Sequence, residues 1–198
     1  MNVMVVGISG KAGHGKDTLA DLIIEELSNH VTVGSKMYFA NELKEVVRQV
    51  FLLRTYNLWN EKGKDEPIEH LGGITGRFIL QKFGEAGRKI FPDIWVLHFK
   101  KSLEKLIEDF NYAKRIIVLV PDVRYPNEFD VIRNMDCKTL LVRIVRPDHQ
   151  ANGDSKHESE TALDNQEGWD HMVVAKNIGQ ITYAVNPIIT DIKEYFNI

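Results

Sequence analysis

Apolar and polar positions follow two different periods along the chain. Val3-Met4-Val5-Val6-Gly7-Ile8 is an unbroken apolar run rich in β-branched residues, which predicts a strand buried on both faces. Leu19, Leu22, Ile23, Ile24 and Leu27 then recur at helical spacing, with Asp21, Glu25 and Glu26 between them. That pattern predicts an amphipathic helix over 16–29. Further strand cores fall at 115–120, 139–145 and 171–175, and a fifth strand is expected at 36–39. Helical patterns occupy 41–52, 75–89, 94–110, 127–134 and 181–196. Strands alternating with helices predict an α/β fold, with a mostly parallel five-stranded sheet covered on both faces.

Three stretches do not read as simple connectors. Residues 54–73 are polar and turn-rich, 77–110 are helical with no strand between, and 146–168 are polar without an apolar period. Long irregular segments in a compact domain are more often functional than accidental. The length, 198 residues with 43% hydrophobic and 27% charged positions, suits one globular domain. Charge narrows the partners: 25 basic against 28 acidic side chains leave −3, whereas a surface built to cover a phosphate backbone is normally basic. Nucleic acid is therefore not expected as a partner, though a local basic pocket is compatible with this balance. Cys137 is the single cysteine, read as a small buried thiol in a reducing compartment. The first apolar run is too short for a signal-peptide core or a spanning helix, so the expected location is the cytoplasm, with no membrane partner.

The sharpest motif is Gly10-Lys11-Ala12-Gly13-His14-Gly15-Lys16-Asp17-Thr18. Its G-x4-G-K spacing, after a strand and before a helix, is that of a phosphate-binding loop. Glycines let successive amides turn inward around an anion, the helix N-terminus adds positive potential, and Lys16 reaches the outer phosphates. The position after the lysine, ordinarily Ser or Thr, is Asp17. A carboxylate there is a hard oxygen ligand for Mg²⁺, directly or through water, or a first-turn residue favoured by the helix dipole. Thr18 is an alternative contact for an inner phosphate.

Together with Phe39-Ala40-Asn41-Glu42-Leu43-Lys44 and Asp122-Val123-Arg124-Tyr125-Pro126-Asn127-Glu128, the loop resembles the deoxynucleoside monophosphate kinases best known from bacteriophages. Arg146-Pro147 through His157-Glu158-Ser159-Glu160 resembles their segment that closes over ATP. The resemblance implies a P-loop kinase sheet with core segments about 1–38, 114–145 and 169–198, a nucleotide-monophosphate-binding insertion about 39–113 and a lid about 146–168. It implies transfer of the ATP γ-phosphoryl group to a deoxynucleoside 5′-monophosphate, with ATP as donor and Mg²⁺ as cofactor. Such kinases are monomers or dimers, so a homodimer stays open, and a phage-encoded chain would work in the host cytoplasm.

The residues themselves support each part separately. Asp122 closes an apolar strand at the edge where ligands of open α/β folds collect, and either holds water on Mg²⁺ or caps a loop. Arg124 can face either phosphate, since guanidinium forks match phosphoryl oxygens. Asn127 and Glu128 either read the acceptor or start the next helix. Gln81, Glu85 and Arg88 share a helical face; the resemblance assigns the arginine to the acceptor phosphate and the glutamine to its base, while Glu85 and Arg88 alone would be an ordinary surface pair. Phe39 and Trp95 line a base pocket or belong to the core. Lys44 holds the acceptor or caps the polar face of its helix. Arg146, ahead of Arg143, is the expected arginine for charge developing on the transferred group. His157 and Glu160 order the lid or sit in a solvated loop. Asn177, followed by Gly179, resembles the turn that lies against adenine.

Two other readings compete. One keeps the ATP site and phosphorylates hydroxymethylpyrimidines in DNA, using Lys100, Lys101, Lys105, Lys114 and Arg115 as a local track. The other is a module that binds ATP without transferring phosphate, which Asp17 favours.

Overall fold

A computed structural model describes residues 2–147 and 157–198. The chain divides into two compact units, one of residues 1–38 and 103–198 and one of residues 39–102.

The first unit carries the sheet. β1 (Asn2–Ser9) is followed by the glycine loop and α1 (Lys16–Leu27), then β2 (Val33–Lys36). The second unit contains α2 (Asn41–Val50), α3 (Tyr56–Trp59), the short strands β3 (Pro67–Ile68) and β4 (Ile74–Thr75), α4 (Gly76–Ile90) and the start of α5 (Ile94–Asp109). The first unit resumes with β5 (Arg115–Val123), α6 (Pro126–Arg133), β6 (Lys138–Val145), α7 (Glu158–Thr161), β7 (His171–Val174), α8 (Ile178–Ala184) and α9 (Asn186–Phe196). Its five strands run β2-β5-β1-β6-β7, all parallel. The expected fold class is therefore the observed one.

β1 is central and buried on both faces, which explains its continuous apolar run. Met4, Val6 and Ile8 join Leu19 and Ile23 of α1 and Ile188, Ile192 and Phe196 of α9 in one core. The opposite face of β1 meets α6: a Cβ added to Gly7 would lie 2.8 Å from Ile132 Cδ1. Each fully buried Leu, Ile or Phe of this core contributes about 1.5–3 kcal/mol of hydrophobic stabilisation.

Several boundaries differ from expectation for identifiable reasons. The fifth strand lies at 33–36 rather than 36–39, paired Val33↔Ile116 through Lys36↔Leu119. β5 continues through Asp122, and its register with β1 shifts between Gly7 and Ser9. Pro121 sits in that shift, where a residue without an N–H is tolerated. The long helix expected at 181–196 is two helices, with a proline in the first turn of α9. Residues 54–73 are not structureless: Arg77 pairs with Asp65 at 2.5 Å and with Glu61 at 3.4 Å, and Leu58 and Ile68 bury into the core of the second unit. Cys137 is half-buried rather than buried, and burial raises its thiol pKa.

Candidate active site

The glycine loop leaves β1 and is moored to the end of β6. Gly10 has φ +152°, and a Cβ there would lie 2.5 Å from the Ile144 carbonyl oxygen. His14 is buried, with Nδ1 3.2 Å from the same carbonyl and 3.4 Å from the Arg146 amide nitrogen. Gly15, at φ +95°, is the N-cap of α1, a left-handed conformation that glycine adopts without Cβ strain. Gly13 also has a positive φ, 75°, and Thr18 is half-buried in the first turn.

Lys16 is 7% exposed. Its ammonium donates to the Lys11 carbonyl at 2.9 Å, folding back over the loop. Burial lowers its pKa from 10.5 to about 7, with Arg124 repulsion next and Glu160, Asp17 and Asp122 opposing. One lysine, one arginine and three carboxylates thus act on a single point, as in sites where charge is tuned for chemistry.

Asp17 is exposed and accepts a hydrogen bond from the Tyr38 hydroxyl at 2.7 Å. Burial and that bond hold the Tyr38 phenol well above its ordinary pKa, with Asp122 and Asp21 adding to the effect. Tyr38 was not singled out by the sequence pattern, although it lies just past β2 on the edge where ligands of such sheets collect. Among the described residues no group of three or more His, Cys, Asp or Glu is arranged to hold a metal ion by itself. Asp17 and Asp122, whose charges both act on Lys16 and Tyr38, are a pair of hard oxygen donors. That donor set fits Mg²⁺, which keeps several waters and takes one or two carboxylates plus substrate phosphates.

Arg124 and Glu160 meet on the other side of the loop. The Glu160 carboxylate accepts from the Ala12 amide at 2.7 Å and pairs with the Arg124 guanidinium. Arg124 also donates to the Ser159 carbonyl at 3.4 Å. Burial would raise the Glu160 pKa, but Arg124, the Ala12 amide and Lys16 bring it below the usual carboxylate range. Burial disfavours the Arg124 charge, yet Glu160, Asp122 and Glu128 hold its pKa raised. Lys11 pairs with Asp164 at 3.0 Å, and Asp164 also takes Arg143 at 2.9 Å.

Other expected residues lie elsewhere or do other work. Glu128 is 3% exposed, and its Oε2 accepts from the Arg124 and Tyr125 amides at 2.7 and 3.1 Å. Through these two bonds it caps the start of α6. Asn127 is half-buried in the first turn of the same helix. Asn177 caps α8 by accepting from the Gln180 amide at 3.0 Å. Arg146 donates to the carbonyls of Gly13 at 3.0 Å and Lys176 at 3.2 Å, so its fork braces the loop backbone. His157 accepts from the Ser159 amide at 3.1 Å and caps α7. The expected lid at 146–168 includes 148–156, which lie outside the described residues.

The remaining residues expected for the acceptor are in the second unit. Gln81, Glu85 and Arg88 are half-buried on α4, where Glu85 pairs with Lys82 at 3.2 Å. Lys44 Nζ stands 5.5 Å from the Trp59 ring centroid. Trp95 is 6% exposed within the core, and its indole N–H donates to Gly84 at 3.2 Å. Phe39 is 2% exposed and packs on Phe99, centroids 4.3 Å apart. Core packing already occupies both aromatic rings.

A parallel five-stranded sheet with a glycine loop of phosphate-binding spacing between β1 and α1 is the arrangement of P-loop α/β folds. In sequence the chain is similar to the deoxynucleoside-5′-monophosphate kinase of Escherichia phage T5, 26% identical along an alignment of 219 residues that covers 81% of this chain and 85% of that one. It is also 27% identical over 161 residues to the uncharacterized protein ORF77 of Ictalurid herpesvirus 1 (strain Auburn), covering 80% of this chain but 58% of that protein's length. No family model matches. Solved structures with similar folds include shikimate kinase from Aquifex aeolicus vf5, at 13% identity and TM-score 0.42 over 96% of this chain and 97% of that one. Another is the APS kinase Cys556Ala mutant of Mycobacterium tuberculosis, at 10% identity and TM-score 0.39 over 100% and 99%.

Proposed function

We propose that the chain transfers the γ-phosphoryl group of ATP to a deoxynucleoside 5′-monophosphate, giving ADP and the deoxynucleoside diphosphate. The observation that carries this reading is the buried Lys16 ammonium at the glycine loop, under the field of Arg124, Glu160, Asp17 and Asp122. The likeness to the phage T5 enzyme supports the choice of acceptor class.

The loop amides of 10–18 hold the β- and γ-phosphates, and Lys16 neutralises the outermost oxygens. Asp17, oriented by Tyr38, and Asp122 would hold Mg²⁺ directly or through water, and the ion would supply neutralisation of phosphate charge. Arg124 is the catalytic arginine of the proposal, its guanidinium lying beside Lys16 and directed to phosphoryl oxygens once a nucleotide is bound. Arg146 positions the loop through the Gly13 carbonyl. No protein nucleophile is required, because the acceptor phosphate is itself anionic. In the second unit, Arg88 and Lys44 are assigned to the acceptor phosphate and Gln81 to its base, with Glu85 orienting the basic groups around it.

The test is a panel of deoxynucleoside and ribonucleoside monophosphates, each with ATP and Mg²⁺, and an oligonucleotide carrying hydroxymethylpyrimidine, analysed by chromatography. Equal amounts of ADP and deoxynucleoside diphosphate are expected with at least one deoxynucleotide. Phosphate appearing only on the oligonucleotide, or ADP forming without any acceptor, would overturn the proposal.

A further inference from the structure

We infer that Glu160 is a built-in competitor of phosphate: its carboxylate occupies the Ala12 amide and the Arg124 guanidinium, and must leave before a polyphosphate can use either. The inference rests on the phosphate-binding reading of the loop and adds to it a positioning residue that couples nucleotide entry to release of the arginine.

The geometry is that of an anion already in place. A carboxylate oxygen lies 2.7 Å from the Ala12 amide, a charge-assisted bond of the type the loop offers a phosphate. The second oxygen pairs with Arg124, and the Glu160 side chain is only 10% exposed. Lys16 and Arg124 both feel this one charge.

The segment carrying Glu160 is held down independently. Asp164 accepts from Lys11 at 3.0 Å and from Arg143 at 2.9 Å, and Arg143 also donates to the Leu163 carbonyl at 2.8 Å. These ties pass from the loop and β6 to 163–164, so docking of the segment presents Glu160 to the loop at little further entropic cost.

The consequence is an order of events. While the loop is empty, Arg124 is neutralised and cannot draw in an acceptor phosphate or stabilise a transition state. An entering triphosphate takes the Ala12 amide, repels the Glu160 carboxylate, and leaves the guanidinium for phosphoryl oxygens. An arginine withheld until the donor is bound spares the empty site from capturing a lone monophosphate.

The experiment is titration calorimetry of the full chain with inorganic tripolyphosphate, comparing wild type, Glu160→Gln and Asp164→Asn. Glu160→Gln removes the competing charge and keeps the side-chain shape. An affinity gain of roughly tenfold is expected, as for a site blocked about nine-tenths of the time; Asp164→Asn, which only loosens the docking, should gain roughly threefold by the same arithmetic. The amide proton of Ala12 should move upfield in ligand-free Glu160→Gln by NMR, a signature that a purely structural role for Glu160 would not produce. Unchanged or weaker tripolyphosphate binding in both variants overturns the inference, and if Glu160→Gln does not fold, absence of a gain in Asp164→Asn does so alone. Failure of the wild-type chain to bind tripolyphosphate would instead sink the phosphate-loop reading, leaving the two outcomes distinct.

Discussion

Lys16 is the cation of the loop whose charge burial disfavours most plainly. Its ammonium is held near pKa 7 by burial first and Arg124 second, against 10.5 in an unfolded chain. Between those values the unfolded state binds the extra proton, so this group makes stability rise with pH from about 7 to 10.5. Below that window both states are protonated and the burial cost is fully expressed. A polyphosphate reverses the balance by giving the ammonium a partner. Binding of tripolyphosphate at pH 8 is therefore expected to take up a proton, seen as a calorimetric enthalpy that varies with buffer ionisation heat. The Lys16→Ala variant should lose that dependence; equal uptake in both would place the proton elsewhere. At this scale sequence reading had uneven reach. Lys16 and Asp17 are marked by spacing. Glu128 and Asn177 stay open in sequence because a capping carboxylate or amide looks the same there as a ligand-binding one; the capping bonds themselves are visible only in the structure.

The elements were read well where apolar period and turn chemistry agreed, and poorly where they did not. β1 and β6 fall close to expectation because each has an apolar core, residues 3–8 and 140–142, buried in a parallel sheet. β2 was displaced because Val33-Gly34-Ser35-Lys36 has little apolar signal, and its place is set by pairing with β5. The strand–loop–helix unit makes two contrasting predictions. Gly10→Ala puts a methyl 2.5 Å from the Ile144 carbonyl at a positive φ. It is expected to cost roughly 1–3 kcal/mol of stability and to weaken tripolyphosphate binding, because the loop must shift. Ile23→Ala, in the fully buried core of α1, is expected to cost about 2–5 kcal/mol with affinity retained. Denaturant melts and calorimetry on both variants check this; unchanged affinity in Gly10→Ala would show that the loop does not depend on that close approach.

The whole molecule combines two compact units, and the chemistry assigned to them was legible to different degrees. The donor residues lie close in sequence around one glycine loop and one strand end, so motif and geometry coincide. The proposed acceptor residues are single positions on α2 and α4, where Lys44 also meets Trp59 and Glu85 also meets Lys82; local pairing and ligand binding leave the same mark in a sequence. Among the described residues no helix is long and apolar enough to cross a membrane. The central claim is phosphoryl transfer between two nucleotides at the loop around Lys16. Its most direct measurement follows γ-labelled ATP with Mg²⁺ and the preferred deoxynucleoside monophosphate, using wild type and Lys16→Ala side by side. Label is expected in the deoxynucleoside diphosphate, falling on the order of 10³-fold in the variant, whereas label released only as inorganic phosphate, or transferred equally well by Lys16→Ala, would contradict the account.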